Sequence, residues 1–191
     1  MRRLYDQKRQ PSNHIQRTAK SAAADLRRSA SEKGYKMIEP TQTPITGNEE
    51  QGDLSSPFEA LVQFYHAFNS RDIKEMSENW EQSEDIAMDN PLGGIKRGWT
   101  DISSVYEKIF DGRAEVYVEY YDYTVHEHGD VFYAVGRERG FFKLGDTRVD
   151  LTIRTSRIFR RVGTNWKQAH HHGSIEDAEL LATYQSAVIG K

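Results

Sequence analysis

No cysteine occurs in the 191 residues. Disulfides, thiolate metal centres and thiol nucleophiles are therefore excluded, and a cytoplasmic location is expected. Long apolar runs are also missing. None reaches the roughly 18–20 residues that a bilayer-spanning helix needs, so no membrane span is expected. The chain has no glycine-rich phosphate loop, no nucleophile elbow and no dinucleotide fingerprint. The glycines of Gly136-Arg137-Glu138-Arg139-Gly140 lie inside a strand pattern and cradle nothing.

What is present is the composition of a soluble globular chain, 37% hydrophobic and 29% charged. The length suits one well-buried core and not two ordinary domains. The formal net charge of −3 hides a gradient. Residues 1–36 carry ten Lys/Arg against three Asp/Glu; residues 37–56 carry four acids and no base; the remainder carries 16 bases and 22 acids. The acidic remainder argues against a nucleic-acid surface on the domain. Residues 1–55 are rich in Arg, Ser, Ala and Gln and poor in large apolar side chains, which predicts a disordered extension. A short helix over Ile15–Arg28 fits its alanines. Three readings of this extension stay open: a solvated tail upstream of a start at Met37, a basic arm for nucleic acid or acidic membranes, and an organelle-targeting peptide.

The domain is expected over residues 56–187. Ser56-Pro57-Phe58-Glu59 is a capping box with proline at the first helical position. Leu61, Phe64, Tyr65 and Phe68 then share one helical face. Asp72 with Glu75 caps a second helix, Ile86–Asp89 reads as a short strand, and Asn90-Pro91-Leu92-Gly93-Gly94 as a tight reversal. A third helix is expected from Trp99 to Phe110. The period then changes to two, predicting strands over 114–126, 131–142, 147–161 and 166–173 joined by short glycine-bearing links. A closing helix follows over 176–186. The class is α+β, with three helices packed on a curved antiparallel sheet.

Both faces of that sheet are apolar in pattern. Tyr117, Tyr121, Tyr123 and Val125 lie on one side of the first long strand, and Val116, Val118 and Tyr120 on the other. Helices cover one face; a second copy of the chain is the simplest cover for the other, so a homodimer through the sheet is expected. Bent strands over helices leave a cone suited to a small molecule. The polar groups expected inside are Arg154, in phase with Thr152 and Ser156, and His170 with His172, with Asn90 at the rim. His171 is then sent to the opposite face.

Phe64-Tyr65-His66-Ala67-Phe68-Asn69 before Asp72, the Asn90–Gly94 turn, Arg97-Gly98-Trp99, Arg154-Thr155-Ser156 and Trp166 followed by His170-His171-His172-Gly173-Ser174 carry a resemblance. Over residues 58–174 the chain resembles the SnoaL-like, ketosteroid-isomerase-like branch of the nuclear transport factor 2 superfamily. The resemblance implies a cone-shaped α+β fold, commonly dimeric, with no obligatory cofactor. The last strand is also similar to the association domain of calmodulin-dependent kinase, which uses the fold to assemble and holds an arginine in its pocket. In the steroid isomerases an aspartate base precedes the proline of the equivalent turn; here that position is Asn90, which has no proton to take. The isomerase's oxyanion tyrosine falls on Phe64, with Tyr65 about 100° round the helix. The resemblance therefore does not transfer isomerase chemistry.

A histidine with a neighbouring acid can serve as general acid or base, and His172 with Arg154 is the expected catalytic or orienting pair. A buried ion pair of Arg154 with Asp150 or Glu138 is the structural alternative. Asn90, Tyr65, Trp99, Tyr121 and His170 are the expected ligand contacts, although Trp99 also reads as core beside Trp80 and Tyr106. Two imidazoles on one strand do not make a metal site, so no metal is expected. The sequence points to a protein that binds a small apolar or amphipathic molecule, with acid–base chemistry open. The alternative is a dimerisation or accessory domain with a structural pocket.

Overall fold

The structure, a computed structural model, describes residues 38–189. The helix expected over Ile15–Arg28, the start at Met37 and the partners of the basic arm lie outside the described residues. Among the described residues, the compact unit takes in the chain from Pro40 onward.

Helix α1 (Pro57–Ser70) starts as the capping box requires: Ser56 Oγ accepts from the Glu59 amide and the Glu59 carboxylate accepts from the Ser56 amide. It stops at Arg71, left-handed at φ 59°, whose amide reaches back to Ala67 and Phe68. Helix α2 (Ile73–Asn79) is capped by Asp72. Short strands β1 (Ala87–Asp89) and β2 (Lys96–Arg97) flank the Asn90–Gly94 turn, and α3 (Gly98–Phe110) follows. Four long strands come next: β3 (Glu115–His128), β4 (Val131–Leu144), β5 (Thr147–Val162) and β6 (Asn165–Ser174), before α4 (Ala178–Ile189). The sheet runs β2-β1-β6-β5-β4-β3. The long strands are an antiparallel meander as expected, while β1 lies parallel to β6 with Asp89 opposite His172.

Which side chains enter the core is decided by strand phase and by two irregularities. In β5 the inner phase is Leu151, Ile153, Thr155, Arg157 and Phe159, all buried. In β6 Trp166 and Gln168 point inward, but a register shift between Ile158 and Phe159 opposite them inserts Ala169, so the inner phase continues through His171 and Gly173. In β3 the shift lies between Tyr121 and Thr124, with Asp122 at φ 50°. It brings Tyr123 to the same side as Tyr120, and the two rings stack at 4.9 Å.

Residues Pro40–Ser55, expected to be disordered, form a strap. Thr41 and Ile45 exchange main-chain hydrogen bonds of 2.7–3.1 Å with Tyr123 and Tyr120, extending the sheet at its β3 edge. Ile45 is fully buried. Gly47, at φ +85°, lies so close to the α1 backbone at Tyr65 and His66 that no Cβ fits. Leu54 is buried at the far end, where its carbonyl accepts from the Trp166 amide.

Candidate functional site

The inner faces of β4, β5, β6 and α1 bring one polar cluster together in an otherwise apolar interior. The Arg157 guanidinium is 1% exposed and the Glu138 carboxylate 5%, and Arg157 Nη2 donates to Glu138 Oε1 at 2.7 Å. Tyr65 Oη donates to the same carboxylate oxygen at 2.7 Å. Arg157 Nη1 donates to Gln168 Oε1 at 2.9 Å, and the guanidinium plane lies 3.5 Å from the Phe64 ring centre. An isolated charge could not be buried at this depth; the opposite charge and the surrounding donors are what hold it there. The Tyr65 hydroxyl is pushed well above its ordinary range, chiefly by burial and against the pull of the Arg157 charge. It therefore acts as a proton donor in a hydrogen bond and never as a phenolate.

His171 stands beside this cluster on β6. Its Nε2 is 3.4 Å from Thr155 Oγ1, and its Nδ1 is buried with no partner among the described residues. Burial, then the nearby positive Arg157, drives its pKa well below the usual histidine value, so the ring is neutral at pH 7. His171, Arg157 and Glu138 line an internal cavity of about 40 Å³, otherwise walled by apolar groups such as Phe64, Tyr106 and Ile153. That space holds one to a few waters, by the rough rule of ~10–15 Å³ of probe-occupied volume each. Tyr184 of α4 also reaches the cavity, and Asn90 stands at its rim.

The expected site residues divide between two faces. Arg154 is on the outer face, 55% exposed, paired with Glu176 at 2.9 Å; the arginine that enters the cone is Arg157. His172 is also outside, 47% exposed, with Nδ1 2.6 Å from Asp89 Oδ2. His170 lies 3.6 Å from the other Asp89 oxygen. The inward histidine is His171, the one expected to face away. Tyr121 is outside too, with Arg139 above its ring at 4.5 Å. Trp99 packs on Trp80 at 6.5 Å as core. Tyr65 is inside as expected, and Asn90 reaches the rim while its Oδ1 accepts from the Leu92 amide to hold the turn. The buried ion pair expected as a structural alternative exists, with Glu138 as its acid and Arg157 in place of Arg154.

Arg157 could have been found from the pattern alone, since it shares its strand phase with Leu151, Ile153 and Phe159. Tyr184 had no such signal. A larger hollow of about 570 Å³ lies on the outer sheet face among Arg137, Arg154, Ser156 and His172, but it is an open concavity of the sheet. Among the described residues no group of three or more His, Asp or Glu is arranged to hold a metal ion, and no helix is long and apolar enough to cross a membrane.

Comparison with known proteins agrees with this architecture. No curated protein sequence matches. Among solved structures, a candidate calcium/calmodulin-dependent protein kinase type II association domain from Thiobacillus denitrificans is 22% identical, with 68% of this chain covering 100% of that one at a TM-score of 0.54. A ketosteroid isomerase-like protein from Erwinia carotovora atroseptica is 18% identical, with 68% of this chain covering 98% of that one at 0.54. A nuclear transport factor 2 (NTF2-like) superfamily protein from Salmonella enterica serovar Typhimurium is 18% identical, with 61% covering 85% at 0.55. At these identities the structures share the fold. The sequence profile of the SnoaL-like domain matches residues 59–178, more than half the chain, from the first turn of α1 through β6. The chain belongs to the SnoaL-like domain family.

Proposed function

We propose that the domain binds one small, largely apolar and uncharged molecule inside the cone, with its polar end held by His171. The observation that carries this reading is the unpartnered, buried Nδ1 of His171 at the wall of an apolar cavity. A buried polar atom without a partner costs roughly 1–3 kcal/mol, which a ligand hydrogen bond removes. Arg157 and Glu138 already neutralise each other beside it. A charged ligand would add an uncompensated charge at the same depth, so the charge balance favours a neutral one. Neutral His171, with its basicity depressed, is a hydrogen-bonding partner before it is a proton store, which supports binding ahead of turnover.

Native mass spectrometry of freshly purified protein, followed by a thermal-shift screen of neutral small molecules, tests this. Hits raise Tm in the wild type and in Arg154→Ala and His172→Ala, and the rise is lost in His171→Leu. An equal rise in His171→Leu removes the assignment.

A second reading concerns the opposite face of the sheet. Tyr133, Val135 and Ile158 are exposed there side by side across β4 and β5. Such a patch supports a homodimer through the sheet, with the Arg154–Glu176 and His172–Asp89 pairs toward its polar margin. Binding inside and assembly outside use different residues and are compatible.

A further inference from the structure

The cone as it stands has room for water and not for the molecule proposed above. Drug-sized ligands occupy about 300–1,000 Å³, against about 40 Å³ here. Part of the chain walls this space. Tyr184, the buried residue of α4, enters the cavity wall beside Tyr106 and Ile109 and packs on Phe142 at 5.7 Å. Helix α4 is otherwise lightly held. Leu180, Leu181, Ala187 and Val188 are only partly buried against the core, and Gln185 Nε2 donates at 2.8 Å to the carbonyl of Pro91, itself a residue of the cavity wall. That latch meets the Asn90–Gly94 turn, whose Gly93 and Gly94 both sit at positive φ. The family match ends at residue 178, where α4 begins, so this cover lies beyond the matched cone. An element with one buried anchor and mostly exposed surroundings is the kind that opens below the global unfolding free energy.

We propose that Tyr184 is a built-in occupant of the cone, that α4 is the lid carrying it, and that the molecule it gives way to is a neutral phenol. This rests on the cone-binding reading. The occupant itself points to the class, because a phenol ring, that of Tyr184, already stands in the wall of this cavity among apolar groups. Burial keeps the Tyr184 hydroxyl protonated by pushing its pKa far above the ordinary value. A free phenol entering the same space would be neutral for the same reason, and its hydroxyl would find His171. Because only the open form is competent, the apparent affinity falls by the fraction of time the lid is open, and loosening the latch restores it.

The probe is p-cresol, with 4-methylbenzoate as an anion of the same outline, and the protein is the full chain. Hydrogen exchange of amides 178–189 is followed with and without saturating p-cresol, and affinity is measured by calorimetry. Exchange across α4 is expected to accelerate with p-cresol, and Gln185→Ala is expected to bind it roughly threefold to tenfold more tightly. The chain has no cysteine, so a cysteine pair placed between α4 and the Asn90–Gly94 turn, at two positions whose Cα atoms lie within about 7 Å, can lock the lid with a single disulfide. The oxidised form is expected not to bind p-cresol, and the reduced form to bind it. If p-cresol binds the oxidised form as tightly and α4 exchange does not change, the lid is wrong while cone binding stands. If 4-methylbenzoate binds as tightly as p-cresol, or p-cresol fails where other neutral hits bind in a His171-dependent way, the phenol class is wrong. Absence of any His171-dependent binding, in wild type and Gln185→Ala alike, takes the cone-binding reading down with it.

Discussion

At the scale of single residues, the pair formed by Arg157 and Glu138 shows why a buried charge must be judged with its partner. The two groups lie 2.7 Å apart and are almost wholly shielded from water. Forming such a pair gains little net stability, because both ions lose hydration, but breaking it strands the survivor. Arg157→Met should therefore cost about 3–5 kcal/mol in urea denaturation, with Glu138 left charged or forced to protonate. Adding Glu138→Gln should recover most of that loss, although Tyr65 and Gln168 keep their polar atoms there. A double variant no more stable than the single one would mean that the cost lies in lost packing on Phe64. His171 makes a second prediction. Its folded pKa lies well below the unfolded value near 6.5, so below that pH the unfolded chain binds a proton that the folded chain refuses. The stability from keeping His171 neutral is fully present above about pH 6.5 and is lost as pH falls, by up to ~1.4 kcal/mol per pH unit until the folded pKa is reached. His171→Leu should flatten the acid limb of the stability curve by about one proton. An unchanged slope would assign that limb to other groups.

At the scale of elements, the strap and the strands test different kinds of legibility. Ile45 sits fully buried between the β3 edge and α1, so Ile45→Ala should cost about 2–5 kcal/mol. It should also release the Tyr120 and Tyr123 amides, which donate to the strap, ahead of the other β3 amides in hydrogen exchange. Equal exchange across β3 would show that the strap does not protect that edge. The strap could not be read from composition, because two buried aliphatic residues, Ile45 and Leu54, and a left-handed glycine anchor it within a polar stretch. Helices were legible where caps spoke plainly: Ser56 with Glu59, and Asp72. Strands were legible as periods of two, but the face each residue takes was not. Carried from Trp166 and Gln168, a strict period of two lands on His170 and His172; the extra Ala169 moves the inner position to His171, as any one-residue slip must. Arg154 failed differently, since no irregularity separates it from Arg157. Its neighbours Thr152 and Ser156 are the polar phase of β5, and the apolar phase carrying Leu151, Ile153 and Phe159 also carries the arginine of the cone. An arginine in phase with isoleucine and phenylalanine was the clue, and it pointed to a buried partner on another strand.

At the scale of the whole molecule, the described residues cover the sheet on one side only. Helices α1 and α3 and the strap close the inner face and one edge, whereas Tyr133, Val135 and Ile158 stay exposed on the outer face. These three lie on two neighbouring strands, with Tyr133 directly opposite Ile158 and His126 stacked on Tyr133 at 4.6 Å. A contiguous apolar surface bordered by ion pairs is what a two-fold contact requires, because the same patch must meet itself. Arg137 with Asp122 and Arg154 with Glu176 supply acids and bases at the margin, so a rotated copy can exchange partners without stranding a charge. A stable contact of this kind buries about 1,200–2,000 Å² in total, and four strands of roughly fourteen residues offer a face of that order. The wild type should therefore sediment near twice the 22.0 kDa chain mass. Val135→Arg with Ile158→Arg should sediment as one chain with an unchanged far-ultraviolet spectrum, since both side chains point away from the core. His171-dependent ligand binding should survive in that variant, because the cone is built within a single chain. A double arginine variant that remains dimeric would move the contact to another surface, and one that loses ligand binding with its fold intact would tie the two faces of the sheet together.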